Sequence, residues 1–222
     1  MPADAVIFDF DGLLMDTEST ALASWQYEWA QHGLTLDLAT FFADHGGDVT
    51  QERYDVLAAA AGPAFDQAAS HARRLAFRDR LHASLPLAPG IGAWLSQAQS
   101  LGIRLAVASS SPGFWVRGLL SGVGSLDRFE VIASGDEVAA PKPDPAVYEL
   151  ALRRLAIPAA RAVAIEDSPH GAAAARAAGL RCIAIPNPHA DPARFTAASL
   201  VLRSAADLTL TPALRQSSAG PG

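Results

Sequence analysis

The sequence predicts an α/β fold, a doubly wound and mostly parallel sheet interrupted early by an inserted α-helical domain. Three observations predict it. From Gly92 onward, apolar runs of strand length alternate with helical patterns, the rhythm that builds parallel sheets. Between residues 18 and 87 that rhythm is missing and the apolar residues recur only at helical spacing. Before both, Ala5-Val6-Ile7-Phe8 is apolar at every position and too short for a helix, as a strand buried on both faces should be.

The 222 residues, half of them hydrophobic, suffice for one domain, or for one domain carrying a smaller inserted one. A net charge of −6 with no run of Lys and Arg argues against a nucleic-acid partner. The single cysteine, Cys182, excludes an internal disulfide and suits a reducing compartment. Its neighbours Arg181, Ile183, Ala184 and Ile185 mark it as a small core residue rather than a nucleophile. The chain enters its first strand with no basic start or apolar signal core. No apolar run approaches the ~20 residues of a membrane span. A soluble cytoplasmic protein with no membrane partner is expected.

In order, the first strand is Ala5–Phe8. A helix follows Thr17, with Leu22, Trp25 and Trp29 on one face and its end near Gly33. A second helical stretch near Leu38 to Ala43 meets the turn His45-Gly46-Gly47-Asp48. A third helix spans Thr50 to Ala61 and stops at Gly62-Pro63. A fourth, about Asp66 to Ser84, carries Arg73, Arg74, Arg78 and Arg80, a charge run read as a solvated face. Strands are expected over 103–108, 129–133, 162–165 and 182–185, with an edge strand at 200–202. Helices over 93–101, 146–155 and 171–178 separate them. The expected domains are 1–17 with 88–216 as the sheet core and 18–87 as the helical insertion, with 217–222 a disordered tail.

Polar residues gather where strands end. Asp9 and Asp11 stand two apart at the end of the first strand, with Gly12 after them. Two acids there are either a solvated strand end or a cation site; leaving water uncompensated costs each several kcal/mol. Ser109-Ser110-Ser111-Pro112, Lys142-Pro143-Asp144-Pro145 and Glu166-Asp167-Ser168-Pro169 follow later strands. In each, Ser or Asp before Pro reads as a helix N-cap. Capping accounts for Ser111, Asp144 and Ser168, but not for Ser109, Lys142, Glu166 or Asp167. A parallel sheet brings all these exits to one edge, where open α/β sheets build their sites. Four acids cannot all ionise together there without a counter-charge. Oxygen-only ligands favour Mg²⁺ over zinc. A dication, a lysine and a hydroxyl beside a carboxylate are what phosphoryl transfer requires.

These four segments, in this order and spacing, resemble the signature motifs of the haloacid dehalogenase-like superfamily. The opening Asp-x-Asp-Gly-x-x-x-Asp-Thr and the insertion after it are similar to the helical-cap branch, which holds β-phosphoglucomutase, phosphoglycolate phosphatase and many sugar-phosphate phosphatases. The resemblance implies a Rossmann-like core and a Mg²⁺-dependent phosphatase acting on a small phosphorylated metabolite through an aspartyl-phosphate. It implies Asp9 as nucleophile and Asp11 as proton donor and acceptor, with the Asp11 backbone carbonyl on the metal. Ser109, Ser110 and Lys142 would hold phosphate oxygens. Asp167 would bind the metal, with Glu166 in direct contact or one layer out. Gly12 would keep the nucleophile approachable, and Thr17 would sit where the cap departs. Asp11 argues against a dehalogenase, which has no alkoxide to protonate.

The alternative is a β-phosphoglucomutase-like phosphomutase. Mutases of the branch carry a His where this chain has Ala21, and a cap Arg just past a glycine turn where this chain has Asp48-Val49. A non-catalytic ligand- or partner-binding relative is a third reading. His170 either faces the site or merely starts a helix, His45 lies on the cap turn, and His189 is expected at the surface.

Overall fold

The computed structural model describes residues 3–41, 49–187 and 190–218. The chain divides into two compact units, Met1–Asp16 with Pro86–Gly222, and Thr17–Leu85. The turn residues His45, Gly46, Gly47 and Asp48, and also His189, lie outside the described residues.

The larger unit is built on six strands, β1 (Ala5–Phe8), β2 (Arg104–Ala108), β3 (Val131–Ala133), β4 (Ala162–Glu166), β5 (Arg181–Ala184) and β6 (Leu200–Val201). Their spatial order is β3-β2-β1-β4-β5-β6 and every pairing is parallel, so the sheet exceeds the expected "mostly". β1 is central, with Phe8 level with Val107 on one side and Ile165 on the other. All four of its residues are completely buried, which explains their uninterrupted apolarity. The order reverses beside β1, since β2 lies on one flank and β4 on the other. Such a reversal opens a crevice at the carboxyl ends of the strands.

Along the chain, α1 (Thr17–Gln31), α2 (Leu38–Phe41), α3 (Thr50–Ala61) and α4 (Gln67–His82) belong to the smaller unit, and α5 (Ile91–Ser100), α6 (Gly113–Gly122), α7 (Ala146–Leu155), α8 (Pro169–Ala177) and α9 (Leu210–Gln216) to the larger. The chain leaves the larger unit after Asp16 and returns at Pro86, where Met15 and Leu87 pair antiparallel. Ser217 and Ser218, expected in a disordered tail, are instead placed. Ser217 is buried, and both hydroxyls donate to the Leu214 carbonyl at 2.9 Å, capping α9. Residues 219–222 lie outside the described residues.

The smaller unit has its own core of Trp25, Phe41, Tyr54 and Leu57. Of the α4 arginines expected on a solvated face, Arg80 is exposed and Arg73 and Arg78 are half-buried, but Arg74 is not on that face. Arg74 is buried, 4.4 Å from the Trp25 ring, and donates to the Tyr54 hydroxyl at 2.9 Å. Arg73 donates at 2.6 Å to Glu28, a carboxylate with no exposed surface. Helical spacing reported a stripe but not that cations fill part of it, because Arg buries its stem and stacks its guanidinium on rings.

Candidate active site

β1 runs directly into the acids. Asp9 continues the ladder, its N–H donating to the Ile165 carbonyl at 2.9 Å, so its side chain is delivered to the crevice by the central strand. The chain must then turn at once. Gly12 takes φ 76°, a left-handed value costly for any residue with a Cβ, and its N–H donates to the Met15 carbonyl at 3.0 Å.

β4 brings the second pair. Asp9, Glu166 and Asp167 are all buried, and one carboxylate oxygen from each lies within 4.8 Å of the others. Lys142 is set among them by the loop that precedes α7. Its Nζ donates to Asp9 Oδ1 at 2.5 Å, to Glu166 Oε1 at 2.6 Å and to the Ala108 carbonyl at 2.8 Å. All three ammonium protons are therefore used.

Three acids against one lysine leave the cluster negative. Burial pushes the Asp9 carboxyl up to about 8, against the pull of Lys142, and the charges of Glu166 and Asp11 add to the push. Burial would pull the Lys142 ammonium down, but Asp9 and Glu166 outweigh it and hold its pKa above the ordinary value. A further positive charge among these oxygens would return Asp9 to its ionised form. The donor set is all oxygen, buried and short of cations, and so fits a hard divalent ion.

Glu166 accepts four hydrogen bonds. Oε1 accepts from Lys142 and, at 2.6 Å, from the Tyr148 hydroxyl; Oε2 accepts from the Asp167 N–H at 3.2 Å and the Ser168 hydroxyl at 3.3 Å. Gly171 leaves the room it occupies, since a Cβ there would stand 2.0 Å from the Glu166 carboxylate carbon. Ser168 caps α8 as expected, accepting from the Gly171 N–H at 3.0 Å, with Pro169 following.

Ser109 is fully buried at the end of β2, and its Oγ accepts from the Ser111 N–H at 3.0 Å. Ser110 is exposed beside it. The capping expected of Ser111 does not occur, because Pro112 holds the N-cap position of α6. Ser111 instead donates its hydroxyl to Asp11 Oδ2 at 2.6 Å, a charged acceptor that outcompetes a backbone amide. Asp144 accepts from the Ala146 N–H at 2.9 Å, one residue ahead of the α7 N-cap. Thr17 opens α1 in the smaller unit, where its carbonyl accepts from Thr20 Oγ1 at 2.8 Å.

Of the residues singled out in the sequence, Asp9, Lys142, Glu166 and Asp167 are brought together. Asp11 is not part of the close carboxylate group, its oxygens being engaged by Ser111 and by Trp115 Nε1 at 3.0 Å. Sequence reasoning missed Trp115 and Tyr148. Tyr148 sits six residues past Lys142 on α7, and a signal for it existed: a hydroxyl-bearing ring entering a helix beside a lysine motif. Trp115 carried none, since its partner is 104 residues away.

A parallel sheet with a reversed order and a buried acid–lysine cluster suits phosphoryl chemistry, and the relatives of this chain identify it as a phosphoric monoester hydrolase. The haloacid dehalogenase-like hydrolase profile matches residues 6–185, and the chain belongs to that family. YhcW of Bacillus subtilis, named as a candidate phosphatase, is 36% identical over 184 residues, covering 82% of this chain and 83% of its own. Hexitol phosphatase B of Escherichia coli is 29% identical over 212 residues, 92% of this chain and 94% of its own. Among solved structures, CbbY of Rhodobacter sphaeroides in complex with phosphate superposes with a TM-score of 0.72 at 33% identity, covering 96% of this chain and 99% of its own. A variant of the same protein was solved with xylulose 1,5-bisphosphate. A β-phosphoglucomutase of Clostridium difficile shares the fold, with a TM-score of 0.73 over 98% of each chain, at 20% identity. No helix among the described residues is long and apolar enough to cross a membrane.

Proposed function

We propose that this chain is a Mg²⁺-dependent phosphatase of a small phosphorylated metabolite, of the sugar-phosphate type, acting through an aspartyl-phosphate on Asp9. The observation that carries the reading is the buried group of Asp9, Glu166 and Asp167 with Lys142 inserted among them. A magnesium ion held by Asp9, Asp167 and the Asp11 carbonyl, with Glu166 adjoining, would supply neutralisation of the phosphoryl oxygens.

Lys142 orients the Asp9 carboxylate through Oδ1 and leaves its other oxygen for attack on phosphorus. As the Asp9–phosphorus bond forms, the bond to the leaving oxygen breaks and Asp11 gives that oxygen a proton. In the second half, Asp11 takes a proton from water, the hydroxide attacks phosphorus, and the Asp9–phosphorus bond breaks to release phosphate. Ser109 and the Ser110 backbone would hold phosphoryl oxygens between the two halves. Glu166, with four donors of its own, acts chiefly by holding Lys142 in place.

The test is phosphate release from a panel of phosphorylated metabolites, including hexitol phosphates and xylulose 1,5-bisphosphate, with Mg²⁺ and with chelator. Asp9→Asn and Asp167→Ala should each lower kcat by at least about a thousandfold, and chelator should abolish turnover. Undiminished turnover by Asp9→Asn would end the proposal. β-Glucose 1-phosphate with a trace of the bisphosphate completes the panel. Isomerisation outpacing hydrolysis there would replace the phosphatase with a mutase.

A further inference from the structure

Trp115 has no part in the roles assigned so far. It stands in the first turn of α6, and its indole Nε1–H donates to Asp11 Oδ1 at 3.0 Å. Ser111, four residues earlier, donates to the other oxygen at 2.6 Å. One helix start thus engages both oxygens of a single carboxylate, and a carboxylate held at both oxygens is fixed in rotation as well as position. Val116, the next residue along, is fully buried and anchors this turn of the helix. The device is local to α6, whose N-cap residue, Pro112, makes no side-chain cap. The Asp11 carboxylate is outside the close group of Asp9, Glu166 and Asp167. Ser111 and Trp115 are both uncharged donors, so they bring no positive charge of their own to it.

We propose that Trp115 is a positioning residue for the acid–base step: with Ser111 it sets the place from which Asp11 exchanges its proton. This rests on the reading of Asp9 and Asp11 given above. An apolar ring of similar shape cannot replace the indole, since the N–H is the operative group.

Trp115→Phe keeps a ring and removes the donor. On whichever sugar phosphate the unaltered enzyme turns over, its kcat should fall about tenfold with KM changed by less than about twofold. Ser111→Ala should behave likewise. In an Asp11→Ala background, Trp115→Phe should cost nothing further, because the group it acts through is gone. A further tenfold loss in that background, or a raised KM with kcat intact, overturns the proposal.

A readout free of catalysis separates this proposal from the phosphatase reading. The chain has four tryptophans, and Trp115→Phe identifies the Trp115 indole N–H signal in a nitrogen–proton NMR spectrum. Asp11→Ala should shift that signal and leave the other three in place. An unmoved signal defeats the clamp even in an active phosphatase. A shifted signal in a protein whose Asp9→Asn variant keeps full turnover leaves the clamp standing and defeats the function. If Trp115→Phe disturbs the remaining indole signals, Ser111→Ala in the two backgrounds decides by the same rule.

Discussion

Glu166 shows how much one buried residue can depend on its neighbours. Its carboxylate has no exposed surface, and the Tyr148 hydroxyl is one of four donors that make its burial tolerable. Burial and the charges of Glu166 and Asp9 push the Tyr148 phenol well above its ordinary pKa, which keeps it a donor. Tyr148→Phe removes that donor without changing the packing. The variant should lose about 1–3 kcal/mol of stability, read by chemical denaturation, and kcat should fall because Lys142 shares the same oxygen. Gly171→Ala should be worse. Its methyl would lie 2.0 Å from the Glu166 Oε2 atom, so the carboxylate must move and take Lys142 with it. A Gly171→Ala protein with unchanged kcat would show that the Glu166 position is immaterial.

At the scale of elements, the connections between strands and helices do the positioning, and their chemistry is local. The turn after β3 is one example. Ser134 and Glu137 form a capping box, and Arg154 on α7 donates to Glu137 Oε1 at 2.6 Å. The Arg154 hydrogen bond, helped by those from Ser134, holds the Glu137 carboxyl down at about 2. A depressed acid contributes stability above its unfolded pKa and loses it as pH falls through the folded one. The stability advantage of the native protein over Glu137→Gln should therefore be full above about pH 5. It should shrink steadily toward pH 2, as followed by urea unfolding at stepped pH. The group is about a third exposed, so the difference should stay near 1 kcal/mol. An advantage independent of pH would rule out the carboxylate as its source.

For the whole molecule, the relevant fact is that each unit carries a separate core. In the smaller one, Trp25 packs on Tyr54 with ring centroids 4.7 Å apart, and the Arg74 guanidinium lies 4.4 Å over the Trp25 ring. Trp25→Ala should cost about 3–5 kcal/mol. In hydrogen exchange, the loss of protection should concentrate in α1, α3 and α4, with β1, β2 and β4 keeping theirs. Equal loss across the sheet would mean that the two cores unfold as one.

Much of this was legible from residues alone, and the reason is local. A doubly buried parallel strand must be apolar throughout, so Ala5–Phe8 announces itself, and an α3 of Thr50–Ala61 ends where Gly62-Pro63 must end it. The acids and the lysine at strand ends are likewise legible, because few other arrangements explain charge directly after a buried strand. The elements with weaker punctuation were less readable. α9 buries only Leu210, Ala213 and Leu214 over its seven residues, too short a pattern to announce a helix, and Ser111 reads as a cap because a serine before proline is one by default.

What the sequence determined by itself was therefore the sheet, the insertion and the identity of the polar residues at the strand exits, since periodicity and turn chemistry act over a few residues. Only the tertiary structure decided the pairings: Lys142 between Asp9 and Glu166, Tyr148 behind Glu166, and Trp115 with Ser111 on Asp11. Such bonds depend on where packing aims each side chain across as many as 133 residues of chain, and spacing along a sequence carries no record of that direction.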